Sequence, residues 1–321
     1  MAKKNNIRSA LISRGGLLRA LGTLLAVGLL IFLLFQQDWH EIAAAVSRIQ
    51  VLEFVSAIAL MFGSRFFVTA RWHMLLRSGG VKASWSQTLR ITFAGLFATN
   101  FLPTTIGGDL ARLAGAIQYG FDATVSTASL IADRLIGLAG MVFVLPLGLP
   151  YLGQINNVQG SLGLSLASLG GPTGWVQRGR GIVADVFKRL YAAIKLWINQ
   201  PLALFSSLLF TFGHMVCLFG VIYVLLDGMH EPLPFLTVAG LWSLVYAVIL
   251  LPISINGLGL QEISIAYAFG TLGGVSAANS IVLALLIRTL FVLASLPGAF
   301  FLPGILPGMD KARPLLSKLG K

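Results

Sequence analysis

The chain has 321 residues, of which 56% are hydrophobic and only 11% charged, with a mean hydropathy of +0.86. Soluble domains carry about 25% charged residues, so this composition excludes a soluble enzyme. The 23 Lys and Arg outnumber the 11 Asp and Glu, which in a membrane protein points to cytoplasmic loops and anionic lipid before nucleic acid. With Cys217 as its single cysteine the chain can form no internal disulfide.

A spanning helix needs roughly 20 mostly apolar residues. Residues 17–35 form the first candidate, with Lys3, Lys4, Arg8, Arg14 and Arg19 at its N-terminal end. No small-residue cleavage site flanks Gln36-Gln37-Asp38, so this is read as an uncleaved helix with a cytoplasmic N-terminus. Trp39, Ile42, Val46 and Ile49 then recur at helical spacing and predict a short helix in the outer interface. Residues 54–70 form a second span that returns to Arg71, Arg77, Lys82 and Arg90 on the inside. Arg65 lies about 9 Å from Arg71 along that helix, close enough to reach the interface.

Residues 91–108 are uncharged but contain Asn100, Pro103, Thr104, Thr105 and the Gly107-Gly108 pair, with Asp109 and Arg112 directly after. A helix over 90–103 covers about 20 Å, which predicts a re-entrant hairpin broken at membrane depth. Such backbone is tolerated only where it is buried in protein or lines a cavity. The 43 uncharged residues between Arg134 and Arg178 allow two crossings with a turn near Asn156-Asn157, the second over 159–177. From Arg178 onward, Val183, Phe187, Leu190, Ile194 and Trp197 form one apolar stripe against Lys188, Arg189 and Lys195, a surface helix on the cytoplasmic side.

Residues 202–226 are a strong span, and 235–255 run into Pro252, Asn256, Gly257, Gly259 and Glu262. The last span, 278–302, carries Arg288 near its middle, and Lys311, Arg313, Lys318 and Lys321 make a cytoplasmic tail. The expected fold is an all-α integral membrane protein with six crossings and two re-entrant hairpins; eight full crossings are the alternative. Residues 1–50 hold the first helix and the interfacial helix. Residues 51–305 form the membrane domain, with halves 51–150 and 201–305 joined by 151–200, and 306–321 are the basic tail.

The two broken segments resemble each other. Leu102-Pro103-Thr104-Thr105-Ile106-Gly107-Gly108-Asp109 and Leu251-Pro252-Ile253-Ser254-Ile255-Asn256-Gly257-Leu258-Gly259 each join Leu-Pro to a glycine-bearing polar stretch and then a carboxylate, Glu262 in the second. Arg134 follows Asp109 by 25 residues and Arg288 follows Glu262 by 26. Inverted-topology repeats leave this signature, with the substrate site where broken helices meet; two independent Pro/Gly kinks are the plainer explanation.

Asp109, Arg112, Asp133, Arg134, Glu262 and Arg288 fall within the membrane, where each costs about 2.5–3.5 kcal/mol on insertion scales unless paired or wet. Asp109 and Arg112, at i,i+3, are placed to pair, whereas the adjacent Asp133 and Arg134 point apart and need partners elsewhere. Glu262 or Asp133 is the expected partner of Arg288. Either these charges brace the hairpins, or they line a polar path for an anionic head group, with arginines on phosphate and helix N-termini after the glycines adding positive dipole ends. Asn100 and Asn256 belong to the same path, and Pro103, Gly107, Gly108, Pro252, Gly257 and Gly259 shape the broken helices.

His40, His73, His214 and His230 show no metal-ligand spacing. No phosphate-cradling Gly-x4-Gly-Lys-Ser/Thr and no nucleophile elbow occur, so no cofactor, metal or catalytic residue is expected. Arg71-Trp72 with Leu75-Leu76, Leu102-Pro103 with Gly107-Gly108-Asp109 and Arg112, Asp133-Arg134 with Gly137, and Leu251-Pro252-Ile253-Ser254 with Gly257, Gly259 and Glu262 together resemble the membrane domain of lysylphosphatidylglycerol synthases. The resemblance covers residues 50–305. It implies a flippase-like domain that moves an aminoacylated phospholipid, and, because 321 residues leave no room for the transferase, a stand-alone member that is not an enzyme.

Asn256 and Gln261 stand where that family often carries a Gly-Gly pair and a basic residue, so glycolipids and polyprenyl-linked sugars are also candidates. The expectation is a bacterial inner-membrane protein, both termini cytoplasmic, that moves an anionic or aminoacylated lipid. A non-transporting scaffold for a glycosyltransferase or envelope-biogenesis complex is the alternative. Expected partners are a membrane lipid and no nucleic acid, with a second copy or an envelope-synthesis protein beside it.

Overall fold

The computed structural model describes residues 39–101, 107–151, 200–251, 254–305 and 307–308, with isolated positions 24, 28 and 31. The first helix and basic N-terminus, Pro103, the 159–177 crossing, the surface helix from Arg178, Pro252 and the basic tail therefore lie outside the described residues. Every regular element among the described residues is helical.

Helix α1, Trp39–Arg48, matches the short amphipathic helix expected there, with Ala45 buried and Val46 to Arg48 exposed. Helix α2, Val51–Ser78, opens with Gln50 N donating to the Glu53 carboxylate at 2.8 Å, which satisfies an otherwise orphaned first-turn donor. Its 28 residues rise about 42 Å, more than the ~30 Å of bilayer hydrocarbon. The helix thus continues two turns beyond Ala70, where hydropathy alone ends the span. Arg71, where that window stops, has its charge met inside the protein by Asp133.

Helix α3, Trp85–Phe101, and helix α4, Gly107–Gln118, pack against each other. Gly95 faces Gly108 and Arg112 while Ile91 faces Gly115, so the two run antiparallel. A Cβ on Gly95 would lie 2.6 Å from Arg112 Cγ; glycine is what lets the helices close here. Helix α5, Ala123–Val144, is capped by Asp122, whose side chain accepts from Val125 N at 2.8 Å, and runs into a 3-10 turn at Leu145–Leu147.

Helix α6, Pro201–Gly228, starts with proline where its missing N–H costs nothing. Helix α7, Phe235–Ile249, leads through the 3-10 turn Ile255–Gly257 to helix α8, Leu260–Tyr267, which passes into a π-helical turn, Ala268–Leu272. Helix α9, Ala277–Ser295, capped by Ser276, is followed by a helical stretch at residues 298–305. Four helices among the described residues are long and apolar enough to span a bilayer: α2, α5 with its 3-10 extension, α6 and α9. Helices α4, α7 and α8, of 12, 15 and 8 residues, are each too short to cross it alone, and α3, of 17, is at the lower limit for a span.

Helices α2 and α6 lie antiparallel along their length, with Gly63 against Cys217, Ser64 against His214, Gly213 against Phe67 and Gly220 against Leu60. Small residues give this close approach, the usual basis of helix pairing in lipid. The larger apolar core gathers Met61, Phe219, Trp242, Phe269 and Ile287 from α2, α6, α7, α9 and the π turn. A second core joins Trp72, Leu76, Ile91 and Leu113 from α2, α3 and α4.

Candidate functional site

Between α2, the α3–α4 pair, α5, the end of α7, α8 and α9 lies a cavity of about 510 Å³. Its wall carries Arg65, Arg134 and Arg288, together with Thr99, Asn100, Ser254, Asn256 and Gln261. Volumes of 300–1,000 Å³ with a few convergent polar groups are typical of small-ligand sites.

Two arginines on the wall are each held by one carboxylate. Arg134 Nε donates to Asp109 Oδ2, tying α5 to the first turn of α4. Arg288 Nε donates to Glu262 Oε1, tying α9 to α8, and Arg288 Nη2 reaches Gly257 O at 3.3 Å. The turn that positions Glu262 needs left-handed backbone at Asn256, Gly257 and Gly259, with φ of 53°, 68° and 75°. Asparagine and glycine adopt that conformation with least strain.

Behind the wall sits a second, dry cluster. Asp133 is 2% exposed and accepts from Arg71 Nε at 2.7 Å and from Arg112 Nη1 at 3.0 Å. Arg71 also donates to Thr211 Oγ1 at 3.1 Å, while the Arg112 guanidinium stacks 4.3 Å over the Trp72 ring. The Trp72 indole in turn donates to Ser129 Oγ at 3.0 Å. Arg112 approaches Asp109 only to 3.9 Å, beyond hydrogen-bond range.

Of the residues singled out in the sequence, Asn100, Gly108, Arg134, Asn256, Gly257 and Arg288 lie on the cavity wall. Asp109 and Glu262 stand behind its arginines, and Arg112 and Asp133 belong to the buried cluster. Gly107 and Gly259 are buried at the start of α4 and of α8, while Pro103 and Pro252 are outside the described residues. The i,i+3 spacing of Asp109 and Arg112 expected to pair them gives only a loose contact, because Arg134 and Asp133 offer better-aligned partners. Adjacent Asp133 and Arg134 do point apart, to different partners, and Arg288 takes Glu262 of its two candidates.

Arg65 departs from its expected place at the interface. It stands 14 residues after Val51 and 13 before Ser78, about 20 Å from either end of the helix. Instead it bonds Met61 Sδ at 3.2 Å, lies 4.9 Å from the Phe291 ring centroid and lines the cavity. Its signal was an arginine deep in an apolar run. Ser254 and Gln261, also on the wall, carry no such signal.

Among the described residues no group of three His, Cys, Asp or Glu side chains could hold a metal ion. The transmembrane region of the lysylphosphatidylglycerol synthase family matches residues 19–298. A comparison with curated proteins finds no match.

Proposed function

Because the chain belongs to the lysylphosphatidylglycerol synthase transmembrane-region family, we propose that it binds a lipid head group in the arginine-lined cavity and assists that lipid across the bacterial inner membrane. The chain is a multi-pass membrane protein, and the match covers the membrane region of the family alone. The observation carrying the proposal is the convergence of Arg65, Arg134 and Arg288, from the membrane-length helices α2, α5 and α9, on one cavity that the shorter helices α3, α4, α7 and α8 also wall. Arginine is the side chain best suited to phosphate, and a charge kept within the membrane marks a substrate path by default.

Inverted repeats and re-entrant hairpins are part of this proposal. Helices α2 and α6 have 28 residues each, start 150 residues apart and end in the same turn. In that turn Gly80 and His230 both take positive φ, and the bonds of residues 79, 80 and 81 to 75, 77 and 76 recur at 229, 230 and 231. The contacts of α2 with α6 are reciprocal as well: Gly63 meets Cys217 while Gly213 meets Phe67, as a two-fold relation requires. Helices α5 and α9 both follow a positive-φ glycine, Gly120 and Gly274, and place Arg134 and Arg288 eleven residues after their first residue. The π turn after α8 absorbs the one extra residue between Glu262 and Gly274. Basic Arg77, Lys82 and Arg90 around the turn after α2 support a cytoplasmic position for that turn, and the proposal keeps both termini on the same side.

Mass spectrometry of lipids that co-purify with the wild type and with a monodisperse Arg134→Gln, Glu262→Gln variant tests the proposal. One lipid class enriched in the wild type and lost in the variant is expected. Bulk-like lipid in both preparations would refute the cavity as a lipid site and turn attention to a protein partner.

A further inference from the structure

The charges around the cavity do not balance. In the wall and the cluster behind it, five guanidinium groups stand among three carboxylates: one positive charge, that of Arg65, is in excess on the wall beside the Arg134–Asp109 and Arg288–Glu262 pairs, and one in the buried Arg71–Asp133–Arg112 cluster, two in all. Asp109 and Glu262 are committed to Arg134 and Arg288, and Asp133 is shared by Arg71 and Arg112. Arg65 meets no carboxylate among the described residues; its contacts are a thioether sulfur and the face of Phe291. An arginine halfway along a spanning helix is costly without a counter-charge, and the opening beside Arg65 is the cavity.

The wall also holds donors without partners. Gln261 Nε2 and the Ser254 hydroxyl are buried, make no hydrogen bond and belong to residues 6% exposed on the cavity wall. Buried polar groups are normally satisfied, so an unsatisfied pair at a cavity points to a missing partner. Phosphate oxygens accept from guanidinium, amide and hydroxyl donors alike.

We infer that the cavity selects a head group with two negative charges on phosphate, a phosphomonoester or diphosphate, over a phosphodiester or an aminoacylated lipid. The inference rests on the cavity being the lipid site. A phosphomonoester carries about −1.5 to −2 at neutral pH and cancels the excess; a phosphodiester carries one charge and leaves half of it. A lysylated glycerophospholipid brings two ammonium groups to a wall already in positive excess, where Glu262 Oε2 has no partner but belongs to a carboxylate bridged to Arg288 through Oε1.

The lipid, rather than a free phosphate, is favoured by what adjoins the cavity. An apolar groove of about 500 Å³ runs between α7 and α8, lined by Leu244, Val248, Ile263 and Tyr267. Val248 lines the groove and its neighbour Ile249 the cavity, so the last turn of α7 stands between an apolar surface suited to hydrocarbon and a polar wall suited to phosphate.

The test is binding of the full chain in phosphatidylcholine nanodiscs doped in turn with phosphatidate, phosphatidylglycerol or lysylphosphatidylglycerol, read by native mass spectrometry. Phosphatidate should be retained about tenfold better than phosphatidylglycerol, ~1.4 kcal/mol, and lysylphosphatidylglycerol least. Arg65→Gln should bring the phosphatidate preference close to one, and Arg65→Lys should keep most of it. Phosphatidylglycerol or the lysyl lipid bound as well as phosphatidate by the wild type overturns the dianion inference while leaving the lipid site standing. No enrichment of any of the three, with bulk-like co-purified lipid, overturns the lipid site itself. Inorganic diphosphate that binds as tightly as phosphatidate overturns the lipid source. The wild-type ratios decide these outcomes even if Arg65→Gln fails to fold.

Discussion

Asp133 accepts from two guanidinium groups while almost wholly buried, so removing its charge leaves Arg71 and Arg112 facing each other with nothing between them. Breaking a buried pair by deleting one partner costs about 3–5 kcal/mol. Asp109 is different, because its partner Arg134 has a side chain 64% exposed at the cavity, where an ion pair is worth up to about 1 kcal/mol. Asp133→Asn should therefore lower the thermal unfolding temperature in detergent several times more than Asp109→Asn. Equal shifts would show that the buried cluster is no more important to the fold than the cavity pair.

At this scale the sequence was partly legible. Adjacency separated Asp133 from Arg134, and the two Leu-Pro motifs located Asp109 and Glu262. Arg71 ended the span in the sequence because a hydropathy window treats any arginine as a stop, whether or not a carboxylate 62 residues away neutralises it; the helix itself runs on to Ser78.

Among the elements, the α2–α6 pair depends on glycine at its crossing. A Cβ at Gly213 would lie 2.8 Å from the Phe67 ring, so an added methyl there must push the ring or part the helices. Overpacking of this kind costs about 1–3 kcal/mol. Gly213→Ala should lower the unfolding temperature, and Phe67→Leu in the same chain should recover part of the loss. A double-mutant cycle measures that coupling, and strictly additive effects would place the damage elsewhere. The α3–α4 pair was legible from its length and polar break. The matching turns after α2 and α6 were not, since the same backbone conformation falls on glycine at residue 80 and histidine at residue 230.

For the whole molecule, antiparallel α2 and α6 leave their following turns on opposite sides of the bilayer. Cys217 is the single native thiol, so Cys217→Ser supplies a blank background. An impermeant maleimide should reach Lys82→Cys only from the cytoplasmic side of oriented vesicles and Pro232→Cys only from the other. Labelling of both from one side would refute the inverted arrangement. Both positions are exposed, so access depends on the membrane alone.

In the repeat proposed above, the buried cluster also distinguishes the two halves. Under the alignment that equates Val51 with Pro201, Asp109 with Glu262 and Arg134 with Arg288, the places of Arg71, Arg112 and Asp133 are taken by Val221, Ile265 and Ile287, each fully buried in the larger apolar core. One half is thus held by charge where the other is held by hydrocarbon, and this bears on biogenesis. Helix α6 carries no Arg or Lys and one acid, Asp227, at its end, so it can leave the translocon for lipid as a lone segment. Helix α2 brings Arg65 and Arg71, each opposing release by about 2.5–3.5 kcal/mol. It gains the carboxylate for Arg71 only when residue 133 has been synthesised. Nascent α2 is therefore expected to stay at the insertion site until α5 is made, and a chain truncated before residue 133 tests this: release of its α2 into lipid as readily as in the full chain would refute it.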